Sequence, residues 1–230
     1  MFNYEIFNSN VEKLQESGSK LLVVSGPTAV GKDTVIKSLP LEGPKRGLNF
    51  RAIRNYSTKK PRLEEADNPD YDYLDTVLFR EKIAQEALIE YIEYTQGTNT
   101  TVLVGTSIEQ MIPQRNNEHI VWKVSPNRLL EITSLLSSDG MLPSHIIVPI
   151  FLGVSHLSTL YERAKERAGS KEEWLTRLRP NFKQRIADEY AFWKINKNTL
   201  RPYVVHNNTH VSDTCAQIIT VALNKTGIKV

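Results

Sequence analysis

Gly26-Pro-Thr-Ala-Val-Gly31-Lys32-Asp33-Thr34 sets two glycines around four residues, with a lysine directly after the second. This G-x-x-x-x-G-K spacing suits a phosphate-binding loop. The glycines let the backbone wrap so that several N–H groups point inward. The helix that follows adds partial positive charge at its N-terminus, and Lys32 reaches the β- and γ-phosphates. The ligand implied is a nucleoside triphosphate, held by Gly26, Pro27, Thr28, Ala29, Val30, Gly31, Lys32, Asp33 and Thr34. The strict pattern has Ser or Thr after the lysine as a Mg²⁺ ligand, whereas here Asp33 stands there and Thr34 follows. Two readings of Asp33 are open: a hard oxygen ligand that, with Thr34, meets the metal directly or through water, or a carboxylate that supports the helix start.

Such a loop needs a strand before it and a helix after it, and the sequence has both. The apolar run 20–25, ended by Gly26-Pro27, predicts a buried parallel strand, and 34–39 has helical spacing up to Pro40. Further strands are expected at 48–53, 89–94, 101–104, 120–124, 146–151 and 202–206, with an amphipathic helix over 79–88 and a closing helix over 211–223. Residues 55–73, rich in Lys, Arg, Pro, Asp and Tyr, read as a loop. The charged stretch 157–193 is helical in period, interrupted near 168–170 and at Pro180. Residues 1–18 read as a polar, partly helical extension without a function. Strands alternating with helices give a parallel α/β sheet.

Composition excludes several classes. The 230 residues are 24% charged and 40% hydrophobic, so the chain is neither a disordered tail nor a disulfide-stapled miniprotein. A formal charge of +3 is too small to imply nucleic acid or an anionic membrane, so any phosphate binding must come from local clusters. Cys215 stands alone and reads as a buried filler in a reducing compartment. No apolar run reaches the roughly 18 residues of a spanning helix, and the start has no signal-peptide layout, so a cytoplasmic protein is expected. His119, His145, His156, His206 and His210 show no metal-ligand spacing and read as structural.

Three segments in order resemble the guanylate kinase family. Ser25-Gly-Pro-Thr-Ala-Val-Gly-Lys-Asp-Thr34 resembles the loop S-G-P-S-G-x-G-K-[SG]-T. Ser57-Thr-Lys-Lys-Pro-Arg62, followed by Glu65 and Asp70-Tyr71, is similar to T-T-R-x-P-R-x-x-E-x-x-G-x-D-Y, and Leu88-Ile-Glu90-Tyr91 to F-[LI]-E-[WY]. More loosely, Val104-Gly105-Thr106 stands at Y-G-[ST] after an insertion near 95–101. Arg163, Arg167 and Arg177-Leu178 resemble the lid arginines, and Tyr203-Val-Val-His-Asn207 resembles the closing strand Y-x-V-V-N. The likeness covers roughly residues 20–225 and is strongest from 22 to 91.

The resemblance implies a P-loop NTPase fold over 19–230: a central parallel sheet flanked by helices, an acceptor-binding insertion at 55–107 and a helical lid near 160–180. It implies transfer of the ATP γ-phosphoryl to GMP or dGMP with Mg²⁺, by a monomer or homodimer whose partners are small nucleotides, without nucleic acid or membrane. Lys32, Arg163, Arg167 and Arg177 would surround the transferring phosphoryl, and Asp33 and Thr34 the metal. Lys59, Arg62 and Tyr71 would hold the acceptor phosphate. Asn55 and Glu90 would take the acceptor base, Glu90 accepting from guanine N1–H and the 2-amino group, Thr106 would belong to the same substrate site, and Asn207 would lie near the adenine of ATP. Read without the resemblance, 59–62 is a basic turn, Tyr71 a half-buried aromatic, and the lid arginines a solvated helix face.

The chain departs from that family at several of these positions. Lys59 replaces an arginine, Val104 a tyrosine and Asn55 a serine, while Lys123 and Ser125 stand at two aspartates. Acid lost from that strand and gained at Asp33 reads as a compensating exchange. The G-K-D-[ST] loop also resembles ribose bisphosphate kinases, and a non-catalytic guanylate kinase-like binding module is a third reading. The intact Gly26, Gly31 and Lys32 favour an enzyme, and Tyr71 and Glu90 favour a nucleotide acceptor.

Overall fold

Leu21–Ser25 is five consecutive buried residues, a pattern that only a strand covered on both faces accepts. The computed structural model describes residues 2–61, 71–96, 100–137, 143, 145–166, 168, 182–191, 203–208 and 210–224. In it this strand, β1, lies in the middle of a five-stranded sheet with β2 (Asn49–Ala52), β7 (Glu118–Lys123), β8 (Ile147–Gly153) and β9 (Tyr203–His206). The order is β2-β7-β1-β8-β9, and every pairing is parallel. Pro149 stands inside β8 opposite Val23 of β1, one residue before the described pairing with β9 begins at Ile150.

A second sheet has the order β4-β3-β6-β5, built from β3 (Asn55–Ser57), β4 (Tyr71–Tyr73), β5 (Leu88–Gln96) and β6 (Thr100–Ser107). Its two three-residue strands correct the loop reading of 55–73. They are too short to show a period, and they exist because β6 supplies an antiparallel ladder for β3, against which β4 lies parallel. The sequence region between them, 62–70, lies outside the described residues, as do most of 167–181.

The helices are α1 (Tyr4–Glu16), α2 (Lys32–Glu42), α3 (Thr76–Ala84), α4 (Ile108–Met111), α5 (Pro126–Ser137), α6 (Leu157–Glu166), α7 (182–191) and α8 (Val211–Asn224). α2 runs one turn beyond Leu39 through Pro40, which forfeits one hydrogen bond. Burial of Leu39 and the Gly43 N–H to Leu39 carbonyl bond of 2.9 Å keep the turn closed. α5 was not expected from the sequence.

The polar, partly helical extension proves to pack into the core. Residues 4–16 form a capped helix, with the Asn3 side chain accepting from the Ile6 N–H, and Phe7, Val11 and Leu14 are buried against the sheet. They join Trp122, Ile89 and Leu21 in one apolar cluster, and the Phe7 and Trp122 rings lie 6.1 Å apart. Scattered apolar residues in this stretch hid a narrow inner stripe beneath a charged outer face. Phe7→Ala should therefore lower the unfolding free energy by about 3–5 kcal/mol, as for a fully buried aromatic. Chemical denaturation measures it, and a loss below about 1 kcal/mol would make α1 a mere appendage.

Candidate active site

The loop between β1 and α2 takes the course its glycines permit. Gly31 has φ +90°, and a Cβ there would lie 2.6 Å from Asn207 Nδ2. At Gly26, a Cβ would lie 2.4 Å from the Leu152 carbonyl oxygen. Both positions exclude any side chain because other backbone and side-chain groups close on the loop from behind.

That backing is specific. The Val30 carbonyl accepts from Asn207 Nδ2 at 2.7 Å and from Arg163 at 3.1 Å, and Arg163 also donates to the Asn207 carbonyl at 2.9 Å. Asn207 is buried, and its Oδ1 accepts from Thr214 at 2.9 Å. Arg163 and Asn207 thus meet the loop from its protein side and fix its shape. Thr214, four residues into α8, is a supporting residue that the sequence did not single out.

Lys32 folds back over the loop, its Nζ donating to the carbonyls of Gly26 at 2.7 Å and Pro27 at 2.8 Å. Burial pulls its pKa down to about 8, against the raising effect of Glu189 and Asp33. Glu189 was also missed. From α7 it accepts the Thr28 N–H at 2.7 Å and the Thr28 hydroxyl at 3.0 Å, so a carboxylate sits on an inward amide of the loop. Asp33 accepts from Lys123 Nζ at 2.6 Å, and that ammonium lies 5.1 Å from the centre of the Tyr71 ring. Among the described residues, no three His, Cys, Asp or Glu side chains come together as a metal cage. His119 accepts from the Lys20 N–H, and burial beside Lys20 holds its pKa down to about 4. Cys215 is fully buried, which pushes its thiol up to about 11, so it is a filler.

Between the two sheets opens a cleft of about 280 Å³, lined by Asp33, Lys37, Arg51, Arg54, Asn55 and Lys123 among others. Four of these six are cations and one is an acid. Arg54 is held by Asp72 at 2.8 Å and Arg51 by the buried Glu118 at 3.0 Å. Beside the cleft, Thr106 joins three groups: its hydroxyl lies 3.0 Å from Asn55 Oδ1 and 3.4 Å from Glu90 Oε1, and accepts from Trp122 Nε1 at 3.1 Å. Burial raises the pKa of Glu90, opposed by the charge of Arg128, whose Nε donates to Glu90 Oε2 at 2.6 Å. The Lys59 N–H donates to the buried Ser57 hydroxyl at 3.1 Å, next to this cluster in sequence and sheet. Arg62, Arg167 and Arg177 lie outside the described residues.

The structure thus presents a glycine-bounded loop with Lys32 folded over it, a cleft lined by four cations among apolar residues, and a hydrogen-bonded cluster of Thr106, Asn55 and Glu90. The model of the family described as guanylate kinase matches residues 18–200. The guanylate kinase of Gloeobacter violaceus is 28% identical over 173 residues, 74% of this chain and 75% of that protein. That of Clostridium perfringens strain 13 is 26% identical over 180 residues, 77% and 76% of the two chains. The crystal structure of guanylate kinase from Anaplasma phagocytophilum shares the fold, with a TM-score of 0.55 and 15% identity over 92% of this chain and 88% of that one. With the phosphate loop in place and the family's sequence pattern running through both sheets, the chain belongs to the guanylate kinase family.

Proposed function

We propose that this chain transfers the γ-phosphoryl group of ATP, bound with Mg²⁺, to GMP or dGMP, giving ADP and GDP or dGDP, in the cytoplasm. The observation that carries the reading is one cleft lined both by Asp33, at the phosphate loop, and by Asn55, whose side chain meets Thr106 beside Glu90. On this reading the donor phosphates enter from the Asp33 side of the cleft and the acceptor base from the Asn55 side. In the reaction the bond from the γ-phosphorus to its bridging oxygen breaks, and its electron pair leaves on the β-phosphate of ADP. An oxygen of the acceptor phosphate forms the new bond, with no covalent enzyme intermediate.

The protein's part is positioning and charge. The loop amides from Gly26 to Gly31 cradle the donor phosphates, and Lys32 exchanges the Gly26 and Pro27 carbonyls for phosphate oxygens. Arg163 and Asn207 keep the loop in register through Val30. The carboxylate of Asp33 and the hydroxyl of Thr34 would hold a Mg²⁺ carried by the triphosphate, which would supply neutralisation of phosphate charge. Lys59, Arg62 and Tyr71 take the acceptor phosphate, and Arg167 and Arg177 complete the clamp over the transferring group. Glu90, with Asn55 and Thr106 beside it, accepts from guanine N1–H and the 2-amino group, donors that adenine lacks on that edge.

A coupled assay with ATP and GMP, dGMP, AMP, UMP or ribose 1,5-bisphosphate tests the acceptor. Turnover of GMP and dGMP is expected, and turnover of the ribose compound alone would overturn the proposal. The lowered pKa of Lys32 has a pH consequence. Its ammonium is present below about 8 and is lost above it in the free protein, so kcat/KM for ATP should fall as pH rises through 8. Bound triphosphate favours the charged form, so kcat at saturating ATP should not follow that profile, and parallel profiles would contradict this role of Lys32. Glu189 competes with phosphate for the Thr28 amide, so Glu189→Gln should tighten ATP several-fold in direct binding, about 1 kcal/mol. Weaker ATP binding by that variant would instead make Glu189 a support of the loop.

A further inference from the structure

The carboxylate assigned above to the acceptor base already has a partner in the same chain. Arg128, in the first turn of α5, donates through Nε to Glu90 Oε2 at 2.6 Å, and its side chain is only 11% exposed. A second nitrogen of the same guanidinium donates to Glu131. The ring of Phe2 covers the guanidinium plane, 4.1 Å from its carbon to the ring centre. Phe2 is itself fixed beside Glu90 by a backbone bridge, and the Asn3 N–H donates to the Ile89 carbonyl at 2.8 Å. Arg128 is thus held over Glu90 by an ion pair on one side and by the N-terminal segment on the other.

The chemistry of the pair is what makes it consequential. The edge of guanine that a carboxylate reads, N1–H with the 2-amino group, is part of a guanidine unit, and an arginine side chain presents the same kind of donor set with a full positive charge. Either donor makes a charge-assisted bond to the carboxylate, and the arginine alone adds an opposite full charge. Because donor and acceptor belong to one folded chain, a base must also compete against an intramolecular partner.

We propose that Arg128 is a specificity-determining residue: its guanidinium, clamped by Phe2, occupies Glu90 in place of a guanine edge, and a guanine nucleotide gains the carboxylate only by displacing it. The inference rests on the reading of Glu90 as the base-binding group. It implies weak affinity for GMP and weak discrimination between guanine and adenine in the unaltered chain, both restored when the guanidinium is withdrawn. The N-terminal segment becomes a determinant of acceptor affinity, although it is far from Glu90 in sequence.

Calorimetric titration with GMP and AMP tests this without requiring turnover. Arg128→Gln keeps a neutral amide near Glu90, and Phe2→Ala loosens the clamp while leaving the ion pair intact, so a folding failure of one variant still leaves the other. Arg128→Gln should bind GMP about tenfold tighter than the parent, the worth of one charge-assisted hydrogen bond, with AMP unchanged, and Phe2→Ala should move the same way by less. Glu90→Gln in both backgrounds separates the two ideas. If Glu90→Gln weakens GMP binding but Arg128→Gln leaves it unchanged or weaker, the displacement proposal is wrong and Glu90 still reads the base. If Glu90→Gln leaves GMP binding unchanged in both backgrounds, the base-binding reading falls and this inference with it.

Discussion

A cleft built to receive two polyanions must first hold its own charges out of water, and the structure does so by tying them to one another. Lys32 is half-buried, and the charges of Glu189 and Asp33 favour its ammonium. Asp33 is bound by Lys123, Glu90 by Arg128, and Arg51 by Glu118. Desolvating a lone ion costs several kcal/mol, and these pairings offset that cost. They also set the terms of ligand binding, because each phosphate or base must offer more than the internal partner it replaces. Under the proposed function two of these partners imitate the ligand chemically: the Glu189 carboxylate stands on the Thr28 amide, and the Arg128 guanidinium on the Glu90 carboxylate.

What the sequence revealed follows the range of the interactions. The phosphate loop is legible because its function is local: two glycines, a lysine and flanking elements within about twenty residues specify it. β1 and β8 are legible because burial on both faces leaves unbroken apolar runs. The strands Asn55–Ser57 and Tyr71–Tyr73 are not, since three residues carry no period and their ladder comes from β6. Arg128 and Glu189 are invisible for the same reason on a larger scale, their contacts spanning 38 and 161 residues. A signal does exist once the helix bounds are known. Arg128 lies in the first turn of α5, the end where the helix dipole disfavours a positive charge. A charge placed against the dipole is held there by something else.

The exchange between the loop and β7 shows how such a site changes sign without losing its balance. The sequence reading took the acid at Asp33 as compensation for the acid absent from the strand ending at Lys123. The structure joins those two positions directly, at 2.6 Å. Were Lys123 present without Asp33, its ammonium would stand near Lys32 and lower that pKa further, as its charge already does. Were Asp33 present without Lys123, its full negative charge would face incoming phosphate at the start of α2. Together they form a neutral pair that leaves the loop's amides and Lys32 as the attraction for the triphosphate. Lys123 also lies over the Tyr71 ring, so the pair joins the loop to the second sheet.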